Sequence, residues 1–283
     1  MDSIKIKANA KINLALAIKY KRNDGYHEVE VIYQEIDYHD TLNISQSERI
    51  EFFTDSPLLK NEPTNLCIIA AKILKEEFKI PGLKIRLDKR LPIGAGLGGG
   101  SSDAAAILKN GLKLYNITYS TDRLLNIAAK IGADVPFFLI GGTAYGTGKG
   151  EILNALKLNE KYYVLLLLPD DRVSTQWAYK NLNLALTRKY DGYKFKGFKL
   201  KNLSVKNFRS EFYNDFEDLV FKEFPNLSFL KEELYNQGAV FASLSGSGSA
   251  LYGLYLSKSS AEKAKKILSH RFRCQLCRPV TED

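Results

Sequence analysis

The stretch that decides the fold is LPIGAGLGGGSSDAAA, residues 91–106, which has five glycines in seven positions and then a run of alanines. Glycine accepts positive φ and lets the backbone approach a ligand closely, so successive N–H groups can converge on phosphate oxygens. A helix that begins directly after the loop adds its unpaired N–H groups and the positive end of its dipole. The stretch therefore predicts a loop and helix that bind phosphate groups.

Two well-known phosphate motifs fit this stretch poorly. Gly94, Gly96 and Gly99 satisfy G-x-G-x-x-G, but a dinucleotide fingerprint needs an acidic residue at the end of the next strand, whereas Asp122 opens a predicted helix. A P-loop has lysine directly after its last glycine, and here Gly100 follows Gly99. A flexible linker is disfavoured because the β-patterned LKIRLDKR precedes the glycines and AAAIL follows them. A third kind of glycine loop is indicated.

Length and composition predict a two-domain protein of the ordinary soluble class. The chain has 283 residues, of which 45% are hydrophobic and 26% charged. We expect an N-terminal domain over 1–160 and a C-terminal domain over 161–283. The odd number of cysteines argues against a disulfide framework, and the N-terminus lacks a signal-peptide pattern, so we expect a cytoplasmic protein.

Two sequence features give only weak evidence for a metal site or a nucleic-acid site. Cys274 and Cys277, with His270 nearby, give three possible ligands where a structural zinc site usually has four, so we expect no metal there. The formal charge of +9 suggests an anionic partner, and residues 189–209 alternate lysines with aromatics. That pattern is compatible with a nucleic-acid stacking platform, but it is more typical of a half-buried strand with a basic face.

Hydrophobic periodicity outlines the rest of the chain. Residues 4–16 alternate, which predicts a strand whose polar face carries Lys11 and Asn13. The pattern further predicts β structure over 28–50, 83–90, 162–169, 240–243 and 250–256, and helices over 65–78, 121–130, 174–186, 229–237 and 261–268. Gly132 is expected to end the 121–130 helix in the left-handed conformation. Strands and helices without strict alternation indicate an α+β fold.

Two more features contribute candidate active-site residues: a second glycine-rich loop at residues 245–249 and the acidic residue Asp134. Asp134 lies beside Pro136 and two phenylalanines, surroundings that are costly for a carboxylate unless it pairs with a cation such as Lys11. A phosphate cradle with an aspartate and a lysine points to phosphoryl transfer, in which positioning and charge neutralisation dominate. The motifs of serine hydrolases, glycosidases and zinc hydrolases are poorly matched.

The chain resembles the GHMP kinase superfamily. Three of its motifs appear in order: AKINL at 10–14, PIGAGLGGGSSDAA at 92–105 and SGSG at 245–248. DGYH at 24–27, GADVPF at 132–137 and GKGE at 148–151 also resemble the members that act on 4-diphosphocytidyl-2-C-methyl-D-erythritol. The resemblance covers nearly the whole chain. It implies a two-domain α+β architecture, with an N-terminal α/β domain that carries the phosphate loop and a C-terminal α+β sandwich.

The resemblance also implies a reaction and a set of site residues. The expected reaction is the phosphorylation of the acceptor's 2-hydroxyl by ATP with Mg²⁺, a step of the non-mevalonate route to isoprenoid precursors. Lys11 and Asp134 are implied as catalytic residues, and Ser102 or Asp134 as a Mg²⁺ ligand. ATP binding is assigned to Asn65, Leu66, Pro92, Ile93, Gly94, Ala95, Gly96, Leu97, Gly98, Gly99, Gly100, Ser101 and Ser102. Substrate binding is assigned to Asn13, Tyr26, His27, Tyr179, Gly246, Ser247 and Gly248.

Two departures and several alternatives accompany this assignment. Asn9 and Ser249 stand where the superfamily commonly has proline. Tyr26 and His27 match a cytidine site, but DGYH is also typical of a turn that closes a hairpin. A superfamily kinase for mevalonate, homoserine or a sugar remains open, as does a non-catalytic or nucleic-acid-binding protein that uses residues 189–209. We expect small-molecule substrates, with no nucleic acid and no membrane.

Overall fold

The computed structural model describes residues 3–60, 62–158, 160–182 and 204–281. Its strands are β1 (Ser3–Lys21), β2 (His27–Gln46), β3 (Glu51–Thr54), β4 (Leu83–Asp88), β5 (Thr143–Thr147), β6 (Ile152–Leu156), β7 (Tyr163–Leu167), β8 (Phe241–Leu244), β9 (Leu251–Tyr255) and β10 (Cys274–Cys277). Its helices are α1 (Leu66–Phe78), α2 (Gly99–Leu114), α3 (Thr121–Ile131), α4 (Val135–Ile140), α5 (Thr175–Asn181), α6 (Phe208–Glu211), α7 (Glu217–Glu223), α8 (Pro225–Asn236) and α9 (Lys258–Leu268).

The chain forms two compact units that interleave along the sequence. The first unit comprises Met1–Ala10, Tyr38–Ile93 and Gly98–Ile140, and the second comprises Lys11–Asp37, Gly94–Leu97 and Gly141–Asp283. Strands β1 and β2 therefore each contribute residues to both units. The domain boundary expected at residue 160 stays a prediction.

In the first unit, helices pack beside a small sheet. The C-terminal half of β2 pairs antiparallel with β4, and β3 pairs parallel with β4. Alternation along β4 buries Leu83, Ile85 and Leu87, as its sequence pattern predicts. Helices α1 and α2 pack on each other through small and branched side chains, among them Ala70, Ala71, Leu74, Ala104, Ala105 and Leu108. This packing fixes the helix that follows the first glycine loop.

The second unit contains an antiparallel sheet in the order β10–β7–β9–β8. Residues 164–167 of β7 are fully buried, which confirms the buried strand predicted there. Helix α8 packs on β8 and β9, and α9 packs on β7, β9 and β10. The N-terminal half of β2 pairs with β5, which pairs with β6. The mixture of helices and strands in two sheets confirms the predicted α+β class.

Two local predictions were wrong. Gly132 has φ 179°, which is extended rather than left-handed, because the chain turns at once into α4 and the N–H of Val135 donates to the carbonyl of Gly132. Most of the basic stretch 189–209 lies outside the described residues, but its end is a 3-10 turn over Val205–Asn207 followed by α6. There Phe208 is fully buried against other rings, so packing overrides the strand-like alternation.

Within the described residues, none of the helices combines the length and the apolar character needed to cross a bilayer.

Candidate active site

The first glycine loop has an alternating backbone conformation. Gly94, Gly96 and Gly98 have φ of 73°, 76° and 70°, while Ala95 and Leu97 between them have negative φ. Alternation in the sign of φ is a feature of backbone stretches that turn successive N–H groups toward an anion. The glycines at these three positions therefore allow the positive φ values that the sequence predicts for this loop.

Helix α2 begins at this loop without a side-chain cap. Asn65, Ser120, Ser174 and Ser257 each cap a helix by accepting a backbone N–H, whereas Gly98 at the same position of α2 has no side chain. The first N–H groups of α2 therefore keep their capacity for an external anion.

The predicted ATP residues Asn65 and Leu66 lie at the start of α1, beside this helix terminus. A Cβ placed on Gly100 would lie 3.6 Å from the Cδ1 atom of Leu66. The side chain of Asn65 caps α1 through the N–H of Cys67, at 2.9 Å. The structure thus brings both residues to the end of the first glycine loop, within the first unit.

A buried charge cluster holds the entrance of the loop. The Oδ1 atom of Asp40 accepts the N–H groups of Arg90 and Leu91 at 2.6 and 2.8 Å. The ammonium of Lys89 contacts the other oxygen of Asp40 and lies 3.3 Å from Asp103 Oδ2. Sequence reasoning missed this cluster, because Asp40 lies about 50 residues before the loop and no motif marks it.

One cation faces two carboxyl groups in this cluster. Burial raises the pKa of Asp103 to about 7; Lys89 opposes that shift and Asp40 adds to it. Burial lowers the pKa of Lys89, but the two carboxyl groups outweigh it and leave that pKa above its usual value. The Oδ1 atom of Asp103 is buried with no hydrogen-bond partner in the structure. A proton on Asp103 would balance the charges of the cluster.

Lys11 and Asn13 lie in the second unit, on β1. Each side chain is only 3% exposed, so the face expected to be polar is buried here. The ammonium of Lys11 donates to Asn13 Oδ1 at 2.6 Å, and the backbone N–H of Lys11 donates to the carbonyl of Leu97 at 3.0 Å. A buried ammonium is costly unless polar groups surround it, so its retention marks a candidate site.

The two glycine loops meet in the second unit. The hydroxyl of Ser245 donates to the carbonyl of Gly96 at 2.9 Å, and the N–H of Ala250 donates to the carbonyl of Ala95 at 3.2 Å. A Cβ on Gly96 would overlap the carbonyl oxygen of Ser245. Only glycine allows this approach, because no side chain fits between the two backbones.

The second glycine loop also reaches the predicted substrate residues. A Cβ on Gly246 would lie 3.4 Å from Asn13 Oδ1, and the hydroxyls of Ser247 and Thr175 are 2.9 Å apart. Gly246 and Gly248 have φ of 59° and 92°. The structure therefore brings Lys11, Asn13 and the two glycine loops together.

The predicted cytidine residues lie on and beside the turn between β1 and β2. His27 stacks on Tyr179, with ring centroids 4.8 Å apart and planes at 23°. Tyr26 is 56% exposed, and Lys149 Nζ lies 4.5 Å from its ring centroid. Burial, assisted by Lys21, lowers the pKa of His27. DGYH does close the turn, since Arg22 N–H donates to the carbonyl of Tyr26. A base held between Tyr26 and Tyr179 stays a prediction.

Asp134 lies in the first unit, half-buried, just before α4. A Cβ on Gly132 would lie 4.0 Å from the hydroxyl of Ser101, and α4 packs against α2. The turn that carries Asp134 therefore lies beside the first turn of α2. Lys11 belongs to the second unit, so the predicted Lys11–Asp134 pair stays a prediction.

Residues 214–217 support the second glycine loop and were missed from the sequence. Asn214 Nδ2 donates to the carbonyls of Leu244 and Gly246 at 2.9 and 2.8 Å. Glu217 Oε1 accepts the Ser243 hydroxyl and the Leu244 N–H at 2.9 and 3.0 Å. The segment has no glycine pattern and precedes the loop by about 30 residues, so no sequence signal pointed to it.

Among the residues that the structure describes, no three His, Cys, Asp or Glu side chains are grouped so that they could hold a metal ion.

Comparison with known proteins identifies relatives of this chain. Residues 65–142 match the GHMP kinases N terminal domain, and residues 199–274 match the GHMP kinases C terminal domain. A protein of Prosthecochloris aestuarii (strain DSM 271 / SK 413), named 4-diphosphocytidyl-2-C-methyl-D-erythritol kinase, is 42% identical over 97% of both chains. The protein of the same name from Chlorobaculum tepidum (strain ATCC 49652 / DSM 12025 / NBRC 103806 / TLS) is 42% identical over 98% of this chain and 97% of its own.

A solved structure gives the same relationship. The crystal structure of a 4-(cytidine 5'-diphospho)-2C-methyl-D-erythritol kinase matches with a TM-score of 0.84 at 31% identity, over 99% of this chain and 100% of that one. The predicted resemblance to the GHMP kinases and the two-domain α+β architecture are confirmed, and the chain is a small-molecule kinase.

Alanine substitutions at Gly94 and Gly96 should show separately how much backbone strain and how much steric overlap lower the free energy of unfolding. Gly94→Ala adds only left-handed strain, since nothing lies within 4 Å of its Cβ, and should lower the free energy of unfolding by about 1–2 kcal/mol. Gly96→Ala adds overlap with Ser245 and should cost about 2–5 kcal/mol. Urea unfolding followed by circular dichroism measures both. Equal losses would contradict the close approach of the two loops.

Asp103→Asn should change how stability depends on pH. The pKa of Asp103 is about 7 in the folded protein and 3.8 for the free group, so between these values the native state binds more protons than the unfolded state. Asp103 therefore makes the wild type progressively less stable as pH rises from about 4 to about 7. The unfolding free energy of wild type minus that of Asp103→Asn should fall across this range.

Asp88→Asn is the matched control for that measurement, because Asp88 lies in the same unit with a half-exposed side chain. If urea unfolding gave a wild-type-minus-Asp103→Asn difference independent of pH, the raised pKa of Asp103 would be refuted.

Proposed function

The chain belongs to the 4-diphosphocytidyl-2-C-methyl-D-erythritol kinase family, and we propose that it transfers the γ-phosphoryl group of ATP to the 2-hydroxyl of that compound. The reaction is a step of the non-mevalonate route to isoprenoid precursors. The observation that carries the proposal is the convergence of the buried Lys11–Asn13 pair with two glycine loops in the second unit. Near full-length similarity to kinases named for this substrate supports it.

The ATP phosphates bind the first glycine loop and the start of α2. The sign of φ alternates around Gly94, Gly96 and Gly98, a feature of backbone stretches that turn N–H groups toward an anion, and α2 begins without a side-chain cap. Asn65 and Leu66 lie beside the same helix terminus and contribute to the nucleotide site. The loop supplies charge neutralisation without any side-chain cation of its own.

Asp134 and Lys11 act on the acceptor hydroxyl. Asp134 accepts its proton or positions it, and Lys11 orients Asp134 and the hydroxyl. Asn13 holds Lys11 in place, because its Oδ1 atom accepts a hydrogen bond from the Lys11 ammonium at 2.6 Å. Asn13 also contacts the substrate, together with Gly246, Ser247 and Gly248. Because the transition state of phosphoryl transfer is loose, this positioning accounts for most of the catalysis and no covalent intermediate is required.

Tyr26, His27 and Tyr179 bind the cytidine group. The lowered pKa of His27 keeps its imidazole neutral near pH 7, so one ring nitrogen donates a hydrogen bond and the other accepts one. The edge of cytosine offers both a donor and acceptors, which suits a neutral imidazole. The aromatic rings supply stacking surface for the base.

Mg²⁺ accompanies ATP, and the residues present fit it. Mg²⁺ prefers oxygen ligands and usually takes only one or two from the protein. Ser101, Ser102 and Asp134 provide hydroxyl and carboxylate oxygens in one region of the first unit, with Ser102 or Asp134 as the candidate ligand. When bound, the ion neutralises charge on the phosphate oxygens.

A cytoplasmic location and small-molecule partners, without nucleic acid or membrane, belong to the same proposal. An odd number of cysteines suits a reducing compartment.

ADP release with Mg-ATP and four acceptors tests the proposal. The acceptors are 4-diphosphocytidyl-2-C-methyl-D-erythritol, mevalonate, homoserine and galactose. We expect turnover of the cytidyl compound alone, and Asp134→Ala should lower kcat at least about 100-fold because it removes the group that accepts the proton. Asp122→Ala, an exposed acid of α3, is the matched control and should retain full activity. Turnover of another acceptor, or of none, would refute the assigned substrate.

The pH dependence of acceptor use tests His27. Protonation removes the acceptor nitrogen, so kcat/KM for the cytidyl compound should decline as pH falls below about 6.5. The ratio of wild type to His27→Gln, taken at each pH, cancels ionisation of the substrates and of other groups. That ratio should fall toward low pH, and a constant ratio between pH 5 and 8 would exclude a neutral His27 from cytidine recognition.

A further inference from the structure

Phe216 lies directly behind the aromatic pair of the proposed cytidine site. Its side chain is 1% exposed, and its ring meets that of Tyr179 edge-to-face, with centroids 4.9 Å apart and planes at 84°. Tyr179 in turn stacks on His27. A buried ring therefore contacts Tyr179 from the protein interior, in a geometry that aromatic rings prefer.

Backbone contacts to β1 and to the second glycine loop fix the position of Phe216. Its N–H donates to Asn214 Oδ1 at 3.0 Å, and the amide of Asn214 donates to the carbonyl of Gly246. The neighbouring Asp215 accepts the N–H of Ile18 at 2.7 Å and donates its own N–H to the carbonyl of Leu16 at 2.9 Å. Phe216 thus sits on a segment tied to the strand that carries Lys11 and Asn13.

We propose that Phe216 is a positioning residue for the cytidine group, acting through Tyr179. The inference rests on the proposed function. Tyr179 lies on α5, a helix of only seven residues, and is half-buried, so its ring needs lateral support to keep one orientation. An edge-to-face contact supplies that support, because it restricts rotation of the Tyr179 ring.

The role predicts a selective effect on one substrate. Loss of the Phe216 ring should weaken the stacking surface for the base and leave the first glycine loop unchanged. KM for the cytidyl compound should therefore rise about threefold to tenfold, while KM for ATP stays within about twofold of wild type. A purely structural residue would lower stability or kcat without separating the two substrates.

Steady-state ADP release with Phe216→Met is the test, because methionine keeps most of the volume but has no ring. Phe208→Met is the matched control: Phe208 is another fully buried phenylalanine of the second unit, but it packs on Phe212 and Phe241. Phe208→Met should leave both KM values unchanged. Circular dichroism checks folding, and Phe216→Leu with Phe208→Leu replaces the pair if methionine prevents folding.

A double-mutant cycle decides whether the effect passes through Tyr179. Tyr179→Ala alone should raise KM for the cytidyl compound, and adding Phe216→Met to it should raise KM no further. A rise in Phe216→Met no larger than in Phe208→Met, or one that adds fully to Tyr179→Ala, would overturn the positioning role and leave the proposed function intact. If the wild type fails to phosphorylate the cytidyl compound, the proposed function fails, and the positioning role fails with it.

Discussion

The second unit depends on a backbone-to-backbone contact that leaves no room for a side chain. Gly96 lies against the carbonyl oxygen of Ser245, and hydrogen bonds from Ser245 to Gly96 and from Ala250 to Ala95 join the two segments. The N–H of Lys11 joins β1 to the same first loop at Leu97. Three segments that are distant in sequence are therefore held in fixed positions relative to one another. The polar groups on these segments are fixed relative to one another as a result.

Most of the local structure could be predicted from the sequence, but only part of the candidate site could. The glycine loop, its helix and the Asn65 cap follow from residue types and spacing, because their causes lie within a few residues. Alternation on β1 correctly separated two faces, but it could not show that Lys11 and Asn13 are buried, since their neighbours include Leu97 and Gly246, which lie far away in the sequence. For the same reason, packing decided the helical turn at 205–211 against its strand-like pattern.

Glycines that occupy equivalent places in a sequence motif can have different physical roles. Gly94 and Gly96 share a positive φ, but a side chain on Gly94 would meet nothing, whereas one on Gly96 would meet backbone. The first glycine shapes a surface that faces outward, and the second closes a packed junction. Gly132 belongs to neither class, because its extended φ is open to any residue. Only the neighbours of each glycine, and not its place in the pattern, distinguish these roles.

The glycines of a loop have no side chains with which to hold its backbone, so polar side chains from other segments contribute anchors, and each must match the backbone group that it holds. At the entrance of the first loop the groups to be held are N–H donors, and the anchor is the carboxylate of Asp40. At the second loop they are carbonyl acceptors, and the anchor is the amide of Asn214. An aspartate at position 214 would set carboxylate oxygens against these two carbonyls, and an asparagine at position 40 would keep an acceptor for the N–H groups but turn its NH2 group toward the ammonium of Lys89. Asp40 and Asn214 therefore complement the motifs: glycine gives the loop conformational freedom, and a polar side chain distant in sequence restricts it.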